Sequence, residues 1–232
     1  MWLKRLYGTV AGSLLRFYIW LFYRPRLNFL CGELPDEPVI FASNHTGLLD
    51  GLIIVTGMWK MGRPSTLMAK EWFDLPLLKP IFEYSRCIPV KRKGVDTTWL
   101  KMSISAIKDS KYNFLIFPEG HTSRDGKIDV FQNGVLFLAT KTGAKIVPVW
   151  HGPARIFFGT EVRIGAPIAL PEGFTMRSGD PEAVCSQLRD AVIDLEPKKE
   201  EKKGFGRINK RKLVVLTALV LLLVAHFSGI FA

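Results

Sequence analysis

The chain has 232 residues, of which 48% are hydrophobic, and it carries a formal net charge of +11. This length is enough for one well-buried α/β domain and leaves little for a second. Three scattered cysteines, Cys31, Cys87 and Cys185, predict neither a disulfide framework nor a cysteine metal site, and they favour a reducing compartment.

The excess positive charge lies at the two ends of the chain. Residues 1–26 contribute +5, residues 196–212 contribute +5, and residues 27–195 contribute only +1. A nearly neutral central domain argues against nucleic acid as its partner. Basic residues that flank apolar segments are expected at an anionic cytoplasmic membrane surface.

The first predicted element is a membrane-associated helix within residues 1–26. Arg16 interrupts its apolar run, and a charge at the centre of a bilayer is costly, so we expect the helix to lie in the interface or insert shallowly. A cleaved signal peptide is the alternative, but no small-residue cleavage site follows. The residues expected on its apolar face are Leu3, Leu6, Tyr7, Val10, Leu14, Phe17, Tyr18 and Leu21.

Short β-type runs alternate with helical stretches through residues 27–195. This alternation predicts an α/β domain with a mostly parallel central sheet flanked by helices. The predicted strands are residues 39–42, 65–69, 87–90, 113–117, 146–150, 155–158 and 161–164. The predicted helices are residues 49–61, 72–84, 97–110, 134–142 and 181–195.

Residues 44–50, NHTGLLD, join the first of these strands to the next helix. On a regular helix, His45 and Asp50 would point about 140° apart, so they can meet only if His45 lies in the turn before the helix begins. A carboxylate that holds one imidazole nitrogen leaves the other free to take a proton. The pair therefore predicts a general base and its orienting partner, with a chance pairing as the alternative.

Residues 85–94, SRCIPVKRKG, form a predicted strand that ends in three basic residues. The guanidinium of Arg92 matches the oxygens of a phosphate group, which predicts an anion site. A solvated turn is the alternative.

Residues 114–124, FLIFPEGHTSR, place a polar cluster directly after an apolar strand. Gly120 permits close approach of the backbone to a ligand, and Glu119 can accept from a substrate hydroxyl or hold a neighbouring arginine. A β-turn with incidental polar residues is the alternative. A metal site of His45, Glu119 and His121 is not expected, because their spacing matches no standard zinc or iron motif.

Three segments complete the chain. Residues 146–150 form an apolar strand that we expect to contribute packing. The composition of residues 196–212 predicts a basic, flexible linker. Residues 213–232 lack Asp, Glu, Lys and Arg and are long enough to predict a C-terminal transmembrane helix, with the folded domain on the cytoplasmic face.

In this order, the four central stretches resemble the glycerolipid acyltransferase family, which includes the 1-acyl-glycerol-3-phosphate acyltransferases. Residues 44–50 match its His-x4-Asp block, and residues 117–123 are similar to its Phe-Pro-Glu-Gly block. Residues 88–92 look like its second block, which ends in arginine, and residues 146–149 look like its fourth. The sequence departs at His121, where many members carry Thr or Gly.

The resemblance implies an O-acyltransferase that moves a fatty acyl group from acyl-CoA or acyl carrier protein to the hydroxyl of a lysophospholipid. The expected acceptor is 1-acyl-glycerol-3-phosphate, which would give phosphatidic acid. No metal and no cofactor beyond the acyl donor are expected, because a thioester is already activated. The implied catalytic residues are His45 and Asp50, and those implied to bind the acceptor's glycerol phosphate are Arg92, Glu119, Gly120 and Thr122.

Three alternatives stay open. The acceptor could be another lysolipid. A metal-assisted lipid or phosphate-ester hydrolase could use the same residue types, and chelator-sensitive release of fatty acid or phosphate would indicate it. A membrane lipid-binding protein would bind lysolipid and yield no product.

Overall fold

The computed structural model describes residues 2–91, 97–123 and 125–198. In these ranges a seven-stranded sheet is covered by helices on both faces, which confirms the predicted α/β class. Arg92, most of the linker and the predicted C-terminal membrane helix lie outside the described residues. Across the described ranges, no helix combines the length and the hydropathy that a membrane crossing requires.

The elements follow one another in a largely alternating order. The strands are β1 Arg26–Phe29, β2 Ile40–Ser43, β3 Ser65–Ala69, β4 Cys87–Val90, β5 Phe114–Ile116, β6 Ile146–His151 and β7 Glu161–Ile164. The helices are α1 Trp2–Tyr23, α2 Asp50–Gly57, α3 Lys70–Phe73, α4 Lys79–Tyr84, α5 Thr98–Lys108, α6 Gly134–Thr142 and α7 Pro181–Asp194, with a 3-10 helix at Met58–Met61.

The strand order in the sheet is β1-β7-β6-β2-β5-β3-β4. Strands β6, β2, β5, β3 and β4 run parallel to one another, while β7 pairs antiparallel with β6 and parallel with β1. The sheet is therefore mostly parallel, as predicted. Because β5, β2 and β6 are neighbours with their carboxyl ends at one edge, the segments that follow them meet there.

The two faces of the sheet are covered by different helices. In β2, Ile40 and Ala42 belong to the core cluster formed with α5, α6 and α7, whereas Phe41 packs with residues of α2 on the other face. Every residue of β2 and of β6 is buried. Continuous burial on both faces is typical of strands at the centre of a parallel sheet. These buried strands hold the site at their ends rigidly.

The predicted strand at residues 155–158 is wrong. These residues form a turn in which Phe157 has a φ of +68° and its amide donates a 2.6 Å hydrogen bond to the carbonyl of Phe22. The apolar side chain of Ile156 instead packs against the end of α1, where it is buried in the cluster that includes Ile19 and Tyr23.

The predicted helix at residues 72–84 is two short helices, Lys70–Phe73 and Lys79–Tyr84. Pro76 lies between them, where a proline cannot supply the amide that a continuous helix needs. Pro80 is tolerated because it occupies the first turn of α4.

Helix α1 packs closely on the domain through one face. At Gly8 and Gly12, an added Cβ would overlap Pro80 and the ring of Tyr84, so two glycines let α1 and α4 approach. The guanidinium of Arg16 lies 4.3 Å from the ring centre of Trp59. The charge that interrupts the apolar run therefore faces the protein.

The opposite face of α1 is apolar and exposed. Tyr7 and Tyr18 from the predicted face are instead half-buried. The remaining members follow a helical repeat along the surface and are exposed: Leu3, Leu6, Val10, Leu14, Phe17 and Leu21.

Candidate active site

The turn between β2 and α2 brings His45 and Asp50 together. Helix α2 begins at Asp50, so His45 precedes the helix, as the five-residue spacing requires. Nδ1 of His45 lies 3.0 Å from Oδ2 of Asp50. The predicted contact between the two side chains is present.

The Asp50 carboxylate is 1% exposed and is held by the turn that precedes it. The backbone amides of Thr46 and Gly47 each donate a 2.6 Å hydrogen bond to Oδ2. Burial favours the neutral acid, but hydrogen bonds from His151, His45 and the Gly47 amide outweigh it and hold the pKa of Asp50 well below its usual range. Asp50 is therefore ionised at neutral pH.

A second histidine, His151, reaches the same carboxylate from the end of β6. Its Nε2 lies 3.2 Å from Oδ2 of Asp50, and the residue is 2% exposed. The side-chain amide of Asn44 donates to the His151 carbonyl and its oxygen accepts from the His151 amide, which ties the ends of β2 and β6. Sequence reasoning missed His151, because it assigned residues 146–150 to packing and ended the strand before the histidine.

The loop after β5 fixes His45 from the other side. Oε1 of Glu119 accepts a 2.8 Å hydrogen bond from the His45 amide, and the Ser123 amide donates a 2.7 Å bond to the His45 carbonyl. Phe117 stacks on the imidazole with ring centres 4.2 Å apart. Backbone and ring are both held, so the orientation of His45 does not depend on Asp50 alone.

The predicted binding residues of this loop occupy different positions. Thr122 is exposed, and its hydroxyl lies 3.3 Å from Nε2 of His45. Gly120 is exposed with a φ of +73°, a conformation that favours glycine. Glu119 is 1% exposed, and its second oxygen accepts from the Asp129 amide, so its carboxylate supports the loop. The predicted role of Arg92 concerns a residue outside the described ranges.

A cavity of about 690 Å³ opens beside Thr122, whose hydroxyl contacts His45. Its lining mixes cationic, anionic and neutral groups: His121, Thr122, Ser123, Asp125, Lys127, Ile128, Asp129 and Arg189. His121 contacts Asp129 at 3.4 Å. Within the part of the chain that the structure describes, no group of three or more His, Cys, Asp or Glu side chains is arranged to hold a metal ion.

Comparison with known families matches residues 28–152 to the model named Acyltransferase. The chain belongs to the acyltransferase family. The matched region contains β2, β5 and β6, whose ends carry His45, Glu119 and His151. The candidate site thus lies within the region that the family model matches.

Two relatives illustrate the similarity. The chain is 28% identical over 152 residues to a 1-acyl-sn-glycerol-3-phosphate acyltransferase from Limnanthes douglasii, covering 63% of this acyltransferase and 51% of the relative. It is 30% identical over 165 residues to the enzyme of the same name from Borreliella burgdorferi, covering 67% and 64%. The chain spans about half the length of the plant relative that it matches.

A solved structure shares the fold. The crystal structure of the 1-acyl-sn-glycerophosphate acyltransferase PlsC from Thermotoga maritima superposes with a TM-score of 0.61 over 86% of this acyltransferase and 81% of that chain. The two are 20% identical in sequence, so this likeness concerns the fold.

Proposed function

We propose that this acyltransferase transfers a fatty acyl group from a thioester, acyl-CoA or acyl carrier protein, to the hydroxyl of 1-acyl-glycerol-3-phosphate. The product would be phosphatidic acid. The names of the two relatives, both 1-acyl-sn-glycerol-3-phosphate acyltransferases, support this acceptor. The observation that carries the proposal is the geometry at His45: Nδ1 bonded to a buried carboxylate and Nε2 directed to an exposed hydroxyl beside a cavity.

The chemistry follows from that geometry. The proton on Nδ1 is donated to Asp50, which leaves the lone pair on Nε2 free. The acceptor hydroxyl takes a place like that of the Thr122 hydroxyl and gives its proton to Nε2 while its oxygen attacks the thioester carbonyl. The tetrahedral intermediate collapses to the ester and expels a thiolate. The thiolate then takes up the proton that His45 received from the acceptor hydroxyl. Asp50 stabilises the imidazolium between these two steps.

In our proposal two parts of the site contact the acceptor directly, and a third supports them. Arg92 binds the phosphate, a role taken from the family resemblance. Thr122 and the left-handed turn at Gly120 contact the glycerol part beside His45. Glu119 acts indirectly, since both of its oxygens already accept from backbone amides, and it keeps the turn in the shape that the acceptor meets.

We also propose that the enzyme works at a membrane surface. The exposed apolar face of α1 would lie in the bilayer interface, and the predicted helix at residues 213–232 would cross the bilayer. Acyl chains of the acceptor partition into the bilayer, so a domain held at its surface meets them there. The basic residues next to both segments place the domain on the cytoplasmic side in this proposal.

An acyl-transfer assay tests the proposed reaction. Full-length protein in vesicles receives labelled acyl-CoA or acyl carrier protein with a panel of lysolipids, and products are identified by mass spectrometry. We expect phosphatidic acid to form faster than any other product. Transfer to another lysolipid only would correct the acceptor, release of free fatty acid would indicate a hydrolase, and binding without product would reject catalysis.

A further inference from the structure

The buried ring of His151 faces hydrogen-bond acceptors at both nitrogens. Nδ1 lies 2.9 Å from the carbonyl oxygen of Gly152. Nε2 lies 2.9 Å from the carbonyl oxygen of Asn44 and 3.2 Å from Oδ2 of Asp50. Carbonyl and carboxylate oxygens cannot donate, so each ring nitrogen must carry a proton for its contact to be a hydrogen bond.

A neutral imidazole carries only one of these two protons. It would leave a nitrogen lone pair directed at an oxygen lone pair in a site that is 2% exposed, where an unmade hydrogen bond is costly. An imidazolium satisfies both contacts, and its charge is balanced by Asp50. Burial alone lowers the pKa of His151, but the hydrogen bond and the charge of Asp50, with the two carbonyls, raise it above the ordinary value.

We propose that His151 is a buried imidazolium that shares the Asp50 carboxylate with His45 and so weakens the attraction of that carboxylate for the Nδ1 proton of His45. His151 is a positioning residue, because it acts on the reaction through Asp50. The proposal rests on the proposed function of His45 as the base, although the state of His151 does not depend on it.

The effect on His45 follows from the shared oxygen. Four donors converge on Oδ2 of Asp50: the two histidine rings and the amides of Thr46 and Gly47. A cation on this oxygen cancels part of the negative charge that Asp50 presents to His45. Asp50 then orients the ring of His45 while its charge is shared with His151.

The polar and charged groups around His45 and His151 come from three parts of the fold. Asp50 lies at the start of α2, and His151 lies at the end of β6. The loop after β5 supplies Glu119, whose carboxylate bonds the His45 amide and lies on the backbone side of the residue. Thr122 adds a neutral hydroxyl at Nε2 of His45. Of these groups, only His151 is cationic in the resting state that we propose.

Nitrogen NMR of the unmodified protein tests the charge directly. The chain has four histidines, so selective ¹⁵N labelling gives a small set of ring signals, which single His→Gln variants assign. We expect both nitrogens of His151 to remain protonated at pH 7.5. A His151 ring with one unprotonated nitrogen at that pH would overturn the proposal. This readout requires no activity, so it separates the proposal from the proposed function.

A charge series at position 151 tests the effect on His45. His151→Gln keeps a donor and removes the charge, and we expect the acidic limb of the kcat/KM profile to move up by about one pH unit. His151→Lys restores a cation and should return the profile towards the wild-type position. A folded His151→Gln protein with an unchanged profile would contradict the proposal.

Discussion

The carboxylate of Glu119 accepts a 2.8 Å hydrogen bond from the backbone amide of His45, which joins the two most specific motifs of the chain through a structural contact. The family resemblance implies that Glu119 binds the acceptor. The contact instead gives it a supporting task, because one carboxylate spans two backbone segments, at His45 and at Asp129. A change at Glu119 should therefore affect the base as well as the substrate.

We expect Glu119→Gln to lower kcat by roughly 10- to 100-fold. The glutamine side chain has only one acceptor oxygen, so it cannot accept from both backbone amides, and His45 is displaced. It should also lower the free energy of unfolding by about 1–3 kcal/mol, because a buried amide loses its acceptor. Steady-state kinetics and denaturant unfolding measure the two effects. A raised KM with unchanged kcat and stability would show that Glu119 serves only the substrate.

Asp50 and His151 form a buried pair whose contribution to stability depends on pH. The pKa of Asp50 is lowered on folding, so its contribution is fully present above about pH 4 and is lost only as the pH falls through the lowered value. The pKa of His151 is raised on folding, so its contribution is fully present below about pH 6.5 and is lost as the pH rises through the raised value.

The pair should therefore stabilise the fold most between about pH 4 and 6.5. Thermal unfolding of the wild type and of His151→Gln, followed from pH 5 to pH 9, measures this. The difference in Tm should be largest below pH 6.5 and should shrink at alkaline pH. His121→Gln, at an exposed histidine, is the control and should show little change. A difference that grows with pH would contradict the charge that we assign to His151.

The exposed face of α1 should matter for acceptors in a bilayer. Leu14→Glu or Phe17→Glu places a charge on this face, and we expect KM for a vesicle-embedded acceptor to rise by about tenfold. The KM for a short-chain, water-soluble acceptor should equal that of the wild type, because the site itself is unchanged. Met102→Glu on α5, which packs on the other face of the sheet, is the matched control. Equal losses with both acceptors would place the defect in folding.

The phosphate role of Arg92 is tested by the choice of acceptor. Arg92→Ala should raise KM for a phosphate-bearing acceptor by about 10- to 100-fold, since it removes a charge-assisted contact. A monoacylglycerol, which lacks the phosphate, should be used equally by the variant and the wild type. Equal loss with both acceptors would argue against a phosphate contact.

The sequence predicts the His45 and Asp50 contact because it is local. Asp50 follows His45 by only five positions, and the contact required that His45 precede the helix, as it does. The centre of the sheet was also predictable, since short, continuous apolar runs mark buried parallel strands. The mostly exposed β1 lacks such a run, and its pairing with β7 joins residues far apart in the chain.

His151 shows where sequence reasoning stops. Its meaning depends on β6 lying next to β2, a pairing between segments about one hundred residues apart. The available signal was a histidine directly after an apolar strand that was assigned to packing. Glu119 shows the same limit, because its residue type suggests a ligand contact while its partners are backbone amides that only the fold reveals.

The most direct measurement is the acyl-transfer rate of His45→Ala in vesicles that contain 1-acyl-glycerol-3-phosphate and labelled acyl-CoA. His226→Ala, at a histidine in the predicted C-terminal membrane helix, is the control. We predict that His45→Ala stays folded and lowers kcat by about 10²- to 10⁴-fold, the usual worth of a positioned general base, while the control keeps wild-type turnover. A folded His45→Ala protein that transfers acyl groups at close to the wild-type rate would contradict the account.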